Sequence, residues 1–156
     1  MSEAATPAAN QPEFNIEKLY VKDLSLEVPH GPSIFLEREA PQVDLQLNTD
    51  SSAIGEGVYE VSISLTLTAK LASVDKVMFL IEVQQAGIFH VRNIPQEELE
   101  SVLGVVCPNI LYPYIREAVT DLSVRAGFAP VLLNPINFDA LFQQQKAQAA
   151  AAVTKH

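Results

Sequence analysis

The 156-residue chain carries few side chains able to move a proton or attack an electrophile near neutral pH: His30, His90, His156 and one cysteine, Cys107. Their settings argue against catalysis. His156 ends an Ala-rich tail, His30 stands in a Pro and Gly turn, and His90 beside Phe89 has the setting of a core or edge histidine. General acid–base work needs a partner within reach, and no patterned partner accompanies any of the three. Cys107 precedes Pro108 without a His or Asn in a motif with it, and a free cysteine of this kind packs as a small hydrophobe. Glu97, Glu98 and Glu100 could hold a divalent cation, but acids at the start of a helix more often serve its dipole and solubility. GxGxxG, Walker-type, HExxH and CxxC patterns are missing from the chain. The expectation is a protein that is not an enzyme, with no catalytic residue, no metal and no cofactor.

Binding is the remaining kind of work. Ten Lys plus Arg against 19 Asp plus Glu give a formal net charge of −9, a field that repels phosphate backbones and anionic lipid surfaces. Nucleic acid is therefore not an expected partner. A lone cysteine cannot form an internal disulfide, and the N-terminal residues lack the basic and apolar segments of an export signal. The longest clearly apolar run, Val77 to Ile81, is far short of a membrane span, so neither direct membrane insertion nor export of this chain is expected. The expected location is cytoplasmic. Hydrophobic residues make up 48% of the chain and charged ones 19%, which leaves more apolar surface than one small domain usually hides.

The elements that must position these surfaces can be read from periodicity. Apolar residues fall at every second position in four stretches: Tyr20 to Pro29, Gln42 to Thr49, Val58 to Leu71 and Phe79 to Phe89. In the first, Leu24, Leu26 and Val28 oppose Asp23, Ser25 and Glu27; in the last, Phe79, Ile81 and Val83 oppose Leu80, Glu82 and Gln84. Asn48 to Gly57 reads as a polar loop, Pro29 to Pro41 as a connection crossing the sheet or covering an edge, and Gly87 as a place for a bend or bulge. After Arg92 the spacing turns helical through Leu99, Val102, Leu103 and Val106. Pro108 and Pro113 should break or kink the helical stripe beyond Val106, Gly127 offers a left-handed cap, and Asn137 can cap a last helix. Strands followed by helices imply an α+β fold: a four-stranded antiparallel sheet with helices packed on one face. The expected organisation is a disordered segment 1–13, one domain 14–144 and a flexible Ala-rich tail 145–156. Apolar parity in excess of what two or three helices can cover points to a homo-oligomer.

Four segments carry a resemblance to a known family: YVKDLSLEVP, FLIEVQQAGIF, CPNILYPYIRE and GFAPVLLNPINFDALFQQ. Across about Phe14 to Gln144 the chain closely resembles SecB, the bacterial protein-export chaperones. The resemblance implies a homotetramer, a dimer of dimers, acting as an ATP-independent holdase. Such a protein keeps unfolded precursors competent for translocation and delivers them to the SecA motor ATPase. It further implies that Asp23, Glu27, Leu80 and Glu82 dock SecA, and that Phe79, Ile81, Val83 and Gln85 serve oligomer assembly. Val43, Leu45 and Leu47 match apolar positions of a client groove, to which the same comparison adds Phe35, Ile88, Phe89, Phe138 and Phe142. Ala40 departs from relatives that have Trp before Pro41. A carrier of one small hydrophobic ligand is the alternative reading, and would use one enclosed pocket.

Overall fold

The structure, a computed structural model, describes residues 11–153. Four strands, β1 (Glu13–Glu27), β2 (Gln42–Gly55), β3 (Val58–Leu71) and β4 (Lys76–Arg92), form one antiparallel sheet in the order β1-β4-β3-β2. The connection from β1 to β2 must therefore pass from one edge of the sheet to the other. It does so through a 3-10 turn, Ser33–Leu36, pinned by the buried Ile34. The chain continues into α1 (Gln96–Ser101), a wide π turn (Val102–Val106), α2 (Cys107–Arg125) and α3 (Phe138–Val153). The first ten residues of the segment expected to be disordered lie outside the described residues, and β1 begins at Glu13.

Register explains the core. Leu24, Val83, Leu65 and Leu47 form one row across all four strands, and Leu26, Ile81, Leu67 and Leu45 the next. These rows lie on the sheet face against which α2 packs, and α2 contributes Leu111, Ile115, Val119 and Leu122 from the apolar stripe of its helical repeat. The packing centres on β3 and β4.

Several local expectations change in the structure. The loop expected over Asn48 to Gly57 is instead the far half of β2 and a tight turn, with Gly57 at φ +68°. Polar residues on both parities hide that half-strand from any alternation test, and its pairing with β3 holds it in place. Gly87 makes no bulge in β4. It lies in the strand interior because a Cβ there would stand 2.8 Å from the Phe89 ring and 2.9 Å from Leu19. Pro113 sits inside α2 without ending it, and Pro108 lies in the first turn. The π turn immediately precedes Pro108, which has no N–H to offer the carbonyl four residues back, so the wider turn accommodates that missing donor.

The expected caps are present. Gly127 adopts φ +93°, Phe128 N–H reaches the Ser123 carbonyl at 3.1 Å and Gly127 N–H that of Val124 at 3.0 Å, the paired bonds of a Schellman ending. The Asn137 side chain accepts the Ala140 N–H at 3.0 Å. The segment expected as a flexible tail from residue 145 continues α3 as far as Val153, consistent with the strong helix preference of its alanines.

Of the residues expected to serve assembly, Phe79, Ile81 and Val83 are 1%, 0% and 2% exposed in the single chain and are core residues set against α2 and its following loop. Gln85, 3% exposed, lines a cleft beside β1. Cys107 is also fully buried, and burial pushes its thiol up to about 12. Phe79→Ala should lower the unfolding free energy by about 3 to 5 kcal/mol in urea titration at high protein concentration, the cost of a large core cavity. A merely dissociated but equally stable protein would contradict this placement. Cys107 should react with an aromatic disulfide reagent at pH 8 only after denaturant is added; rapid labelling of the native chain would contradict its burial.

Candidate functional site

The sheet faces differ in chemistry because α2 covers one of them incompletely. On the helix side, β2 carries Val43, Leu45 and Leu47 in the same rows as Ala69, Leu67 and Leu65 of β3. The β3 residues are essentially inaccessible, whereas Val43 is 41% and Leu45 48% exposed and Leu47 is half-buried. The apolar face of the sheet thus runs out from under the helices along β2. Among the described residues a smaller recess of about 370 Å³ continues it, lined by Thr49, Leu103, Gly104 and Phe142. Gly104 permits this because a Cβ there would lie 2.6 Å from the Phe142 ring. Lys146 stands 5.1 Å from the centre of that ring and 3.6 Å from Glu100.

At the other end of β2 the wall is aromatic. Phe79, in the same row as Ala69 and Val43, carries the Phe128 ring at 4.8 Å, and Phe128 carries Phe35 at 5.1 Å. Phe35 is half exposed, at the open end of this stack. Phe128 is the member that the site reading missed. The signal was Gly127 before it, whose left-handed turn brings the chain back over the sheet, and a Cβ at Gly127 would meet Phe35 at 3.0 Å.

The remaining candidate groove residues fall elsewhere. Phe89 is fully buried against Phe14, and Phe138 is buried edge-on to Tyr112, so both rings belong to the core. Tyr112 donates to the Asn134 carbonyl at 2.5 Å, and burial holds its phenol above the ordinary value. Ile88 is corrected: it pairs with Lys18 and Glu60 on the opposite sheet face. A strand residue of its parity cannot reach the helix side.

That opposite face brings Asp23, Glu27, Leu80 and Glu82 together. Asp23 pairs with Gln84, Ser25 with Glu82 and Glu27 with Leu80, so the four occupy neighbouring positions on β1 and β4. The acids are exposed and Leu80 is half-buried. On β3 and β2 the face is polar, with Ser62, Ser64, Thr66 and Thr68 on β3 and Asp44, Gln46 and Asn48 on β2. Glu60 shares it but is engaged: Tyr20 O–H donates to one carboxylate oxygen and Lys22 Nζ to the other at 2.9 Å. These bonds hold the Glu60 carboxyl below its ordinary value and raise the Tyr20 phenol to about 12.

Among the described residues the candidate proton-transfer groups do not converge. His90 Nε2 lies 2.8 Å from Glu17, linking β4 to β1, while His30 sits in the exposed crossover and His156 lies outside the described residues. Among the described residues, no three His, Cys, Asp or Glu side chains are grouped to hold a metal ion, and no helix is long and apolar enough to cross a membrane. Glu97 and Glu98 occupy the first turn of α1.

A third feature lies along β1. Val21, Leu24, Tyr114, Val124 and Leu132 are exposed, and a cleft of about 1010 Å³ separates β1 from α2 and the loop after it. It is open along the surface and bordered by Arg116, Glu117 and Asp121.

Comparison with known proteins agrees with this architecture. A family model described as preprotein translocase subunit SecB matches residues 7–149. A protein-export protein SecB of Methylobacillus flagellatus is 56% identical over 150 residues, covering 96% of this chain and 94% of that one. One from Thiobacillus denitrificans is 59% identical over 141 residues, covering 90% and 91%. Among solved structures, a SecB-like chaperone of Mycobacterium tuberculosis in complex with an antitoxin peptide superposes with a TM-score of 0.65. It is 22% identical and covers 79% of this chain and 90% of that one, a likeness of fold. With its sheet order, its helix layer and matches at this level over nearly its whole length, the chain belongs to the SecB family of protein-export chaperones.

Proposed function

We propose that this chain is a cytoplasmic, ATP-independent holdase that binds unfolded precursors along β2 and hands them to the SecA motor through the opposite sheet face. The observation that carries the reading is the bare apolar parity of Val43, Leu45 and Leu47 beside the Phe35 stack. Buried apolar area is worth roughly 25 cal/mol per Å², so an extended chain laid on this strip gains from each large side chain it covers. A folded protein has hidden those side chains and offers little. Many weak contacts on one flexible client multiply through effective concentration, and binding only the unfolded form holds the client open by mass action without nucleotide.

The second half of the reading rests on charge. Asp23, Glu27 and Glu82 flank the half-buried Leu80 on a face without large apolar patches, which suits a cationic docking segment with one apolar anchor. Client and motor can then be held on opposite faces at once. The open β1–α2 cleft, with Gln85 among its lining residues, suits a second copy of the chain and supports a homotetramer. A small-ligand carrier would need an enclosed cavity, and this cleft is open.

Val43, Leu45 and Leu47 changed together to Ala should weaken retention of a reduced, unfolded client about tenfold or more while leaving SecA affinity unchanged. Retention equal to that of the parent protein would remove β2 from the client site. Asp23→Lys or Glu82→Lys should do the converse, lowering SecA affinity in low-salt titration calorimetry with client capture intact. Undiminished SecA affinity would withdraw the acidic face as its docking site.

A further inference from the structure

The acidic face contains an unexpected neighbour. Lys22 precedes Asp23 directly and is the extra residue of the bulge between Val21 and Asp23. An ammonium beside an exposed carboxylate would normally cancel much of its local field. Lys22 is instead drawn across the sheet to Glu60, 2.9 Å away on β3. The span is possible because of what lies between. Tyr20 of β1 pairs with Ala86 of β4, which pairs with Ser62 of β3, and both central side chains are small and buried beneath the crossing groups. Tyr20 reaches over them and donates to the second Glu60 oxygen, fixing the carboxylate that holds the lysine. Among the described residues, no side-chain hydrogen bond or ion pair engages Asp23, Glu27 or Glu82.

We propose that Glu60 is a positioning residue for docking: with Tyr20 it sequesters Lys22, so that Asp23 and its neighbours present uncancelled negative charge to a cationic partner. The proposal rests on the acidic face being the SecA docking site. Glu60 itself makes no contact with the partner, and its low proton affinity keeps it charged as the lysine's counter-ion. The bulge also has a role here, since it supplies the additional residue whose side chain is sent inward across the sheet while Asp23 stays in register with Gln84.

The test is titration of purified SecA into four full-length proteins at low and high salt: parent, Glu60→Gln, Lys22→Met and the double variant. Glu60→Gln keeps an oxygen for the Tyr20 bond but frees the lysine, and should weaken binding about two- to fivefold at low salt, the difference vanishing at high salt. The double variant should recover the parent affinity, and Lys22→Met alone should change it by less than about twofold. Client capture and circular dichroism should be unaffected throughout. Parent-like affinity of Glu60→Gln overturns the proposal, and so does a double variant as weak as the single one, which would make Glu60 a direct contact. A change beyond twofold in Lys22→Met overturns it as well, and this variant leaves the Tyr20–Glu60 bond in place should the Glu60 variant fail to fold. An Asp23→Lys variant run in parallel separates the readings. If it binds SecA normally, the docking face itself is wrong and the clamp falls with it; if it binds weakly while the Glu60 series stays flat, only the clamp is wrong.

Discussion

A single helix is narrower than the sheet it covers. Four strands about 4.8 Å apart make a surface roughly 15 to 20 Å wide, whereas a helix with its side chains is about 10 Å across. The packing of α2 centres on β4 and β3, leaving the apolar parity of both edge strands partly uncovered. An ordinary monomer would have blunted these edges or added a helix. Here the sheet order β1-β4-β3-β2 puts two different bare strips at opposite margins, one flanked by the Phe35–Phe128–Phe79 stack and one facing the large open cleft. Two kinds of apolar partner can therefore be accommodated on one side of one sheet without competing for the same strand.

The other side of the sheet is kept free for electrostatics. Its short Ser and Thr side chains on β3 give an unfolded chain little to hold, and Asp23, Glu27 and Glu82 lie at the β1–β4 margin. Separation of the two chemistries follows from strand parity alone: a residue and its neighbour in sequence face opposite ways, so Leu24 and Leu26 sit over the helices while Asp23 and Glu27 face outward. The whole-chain charge of −9 adds a field that attracts cationic partners over longer distances at low salt.

Much of this was legible in the sequence because half-buried strands alternate cleanly. The Val58–Leu71 span of β3 follows from alternation to the residue, and the shared face of Asp23, Glu27, Leu80 and Glu82 follows from parity once β1 and β4 are paired. The failures have physical reasons. Alternation says that Phe79, Ile81 and Val83 share a face but not whether a helix or another chain covers it; only tertiary packing decides, and here it is α2 and its following loop. Ile88 was placed by resemblance against its own parity. The far half of β2 is polar on both sides and owes its strand conformation to β3, a non-local pairing that no window along the chain contains. Pro113 signals a break or a kink, and α2 runs on through it. The tether from Tyr20 and Lys22 to Glu60 spans about forty residues and two strands, so spacing gave no hint of it.

The central claim is that unfolded chains are held on the bare helix-side strip of β2 and not on the polar face behind it. A photo-crosslinking side chain placed singly at Leu45 and at Thr66, one on each face, addresses it most directly. With a denatured, reduced client the account predicts strong crosslinking from position 45, little from position 66, and loss of the signal from 45 when the client is native. Equal crosslinking from both faces, or a signal from 45 that persists with the folded client, would contradict it.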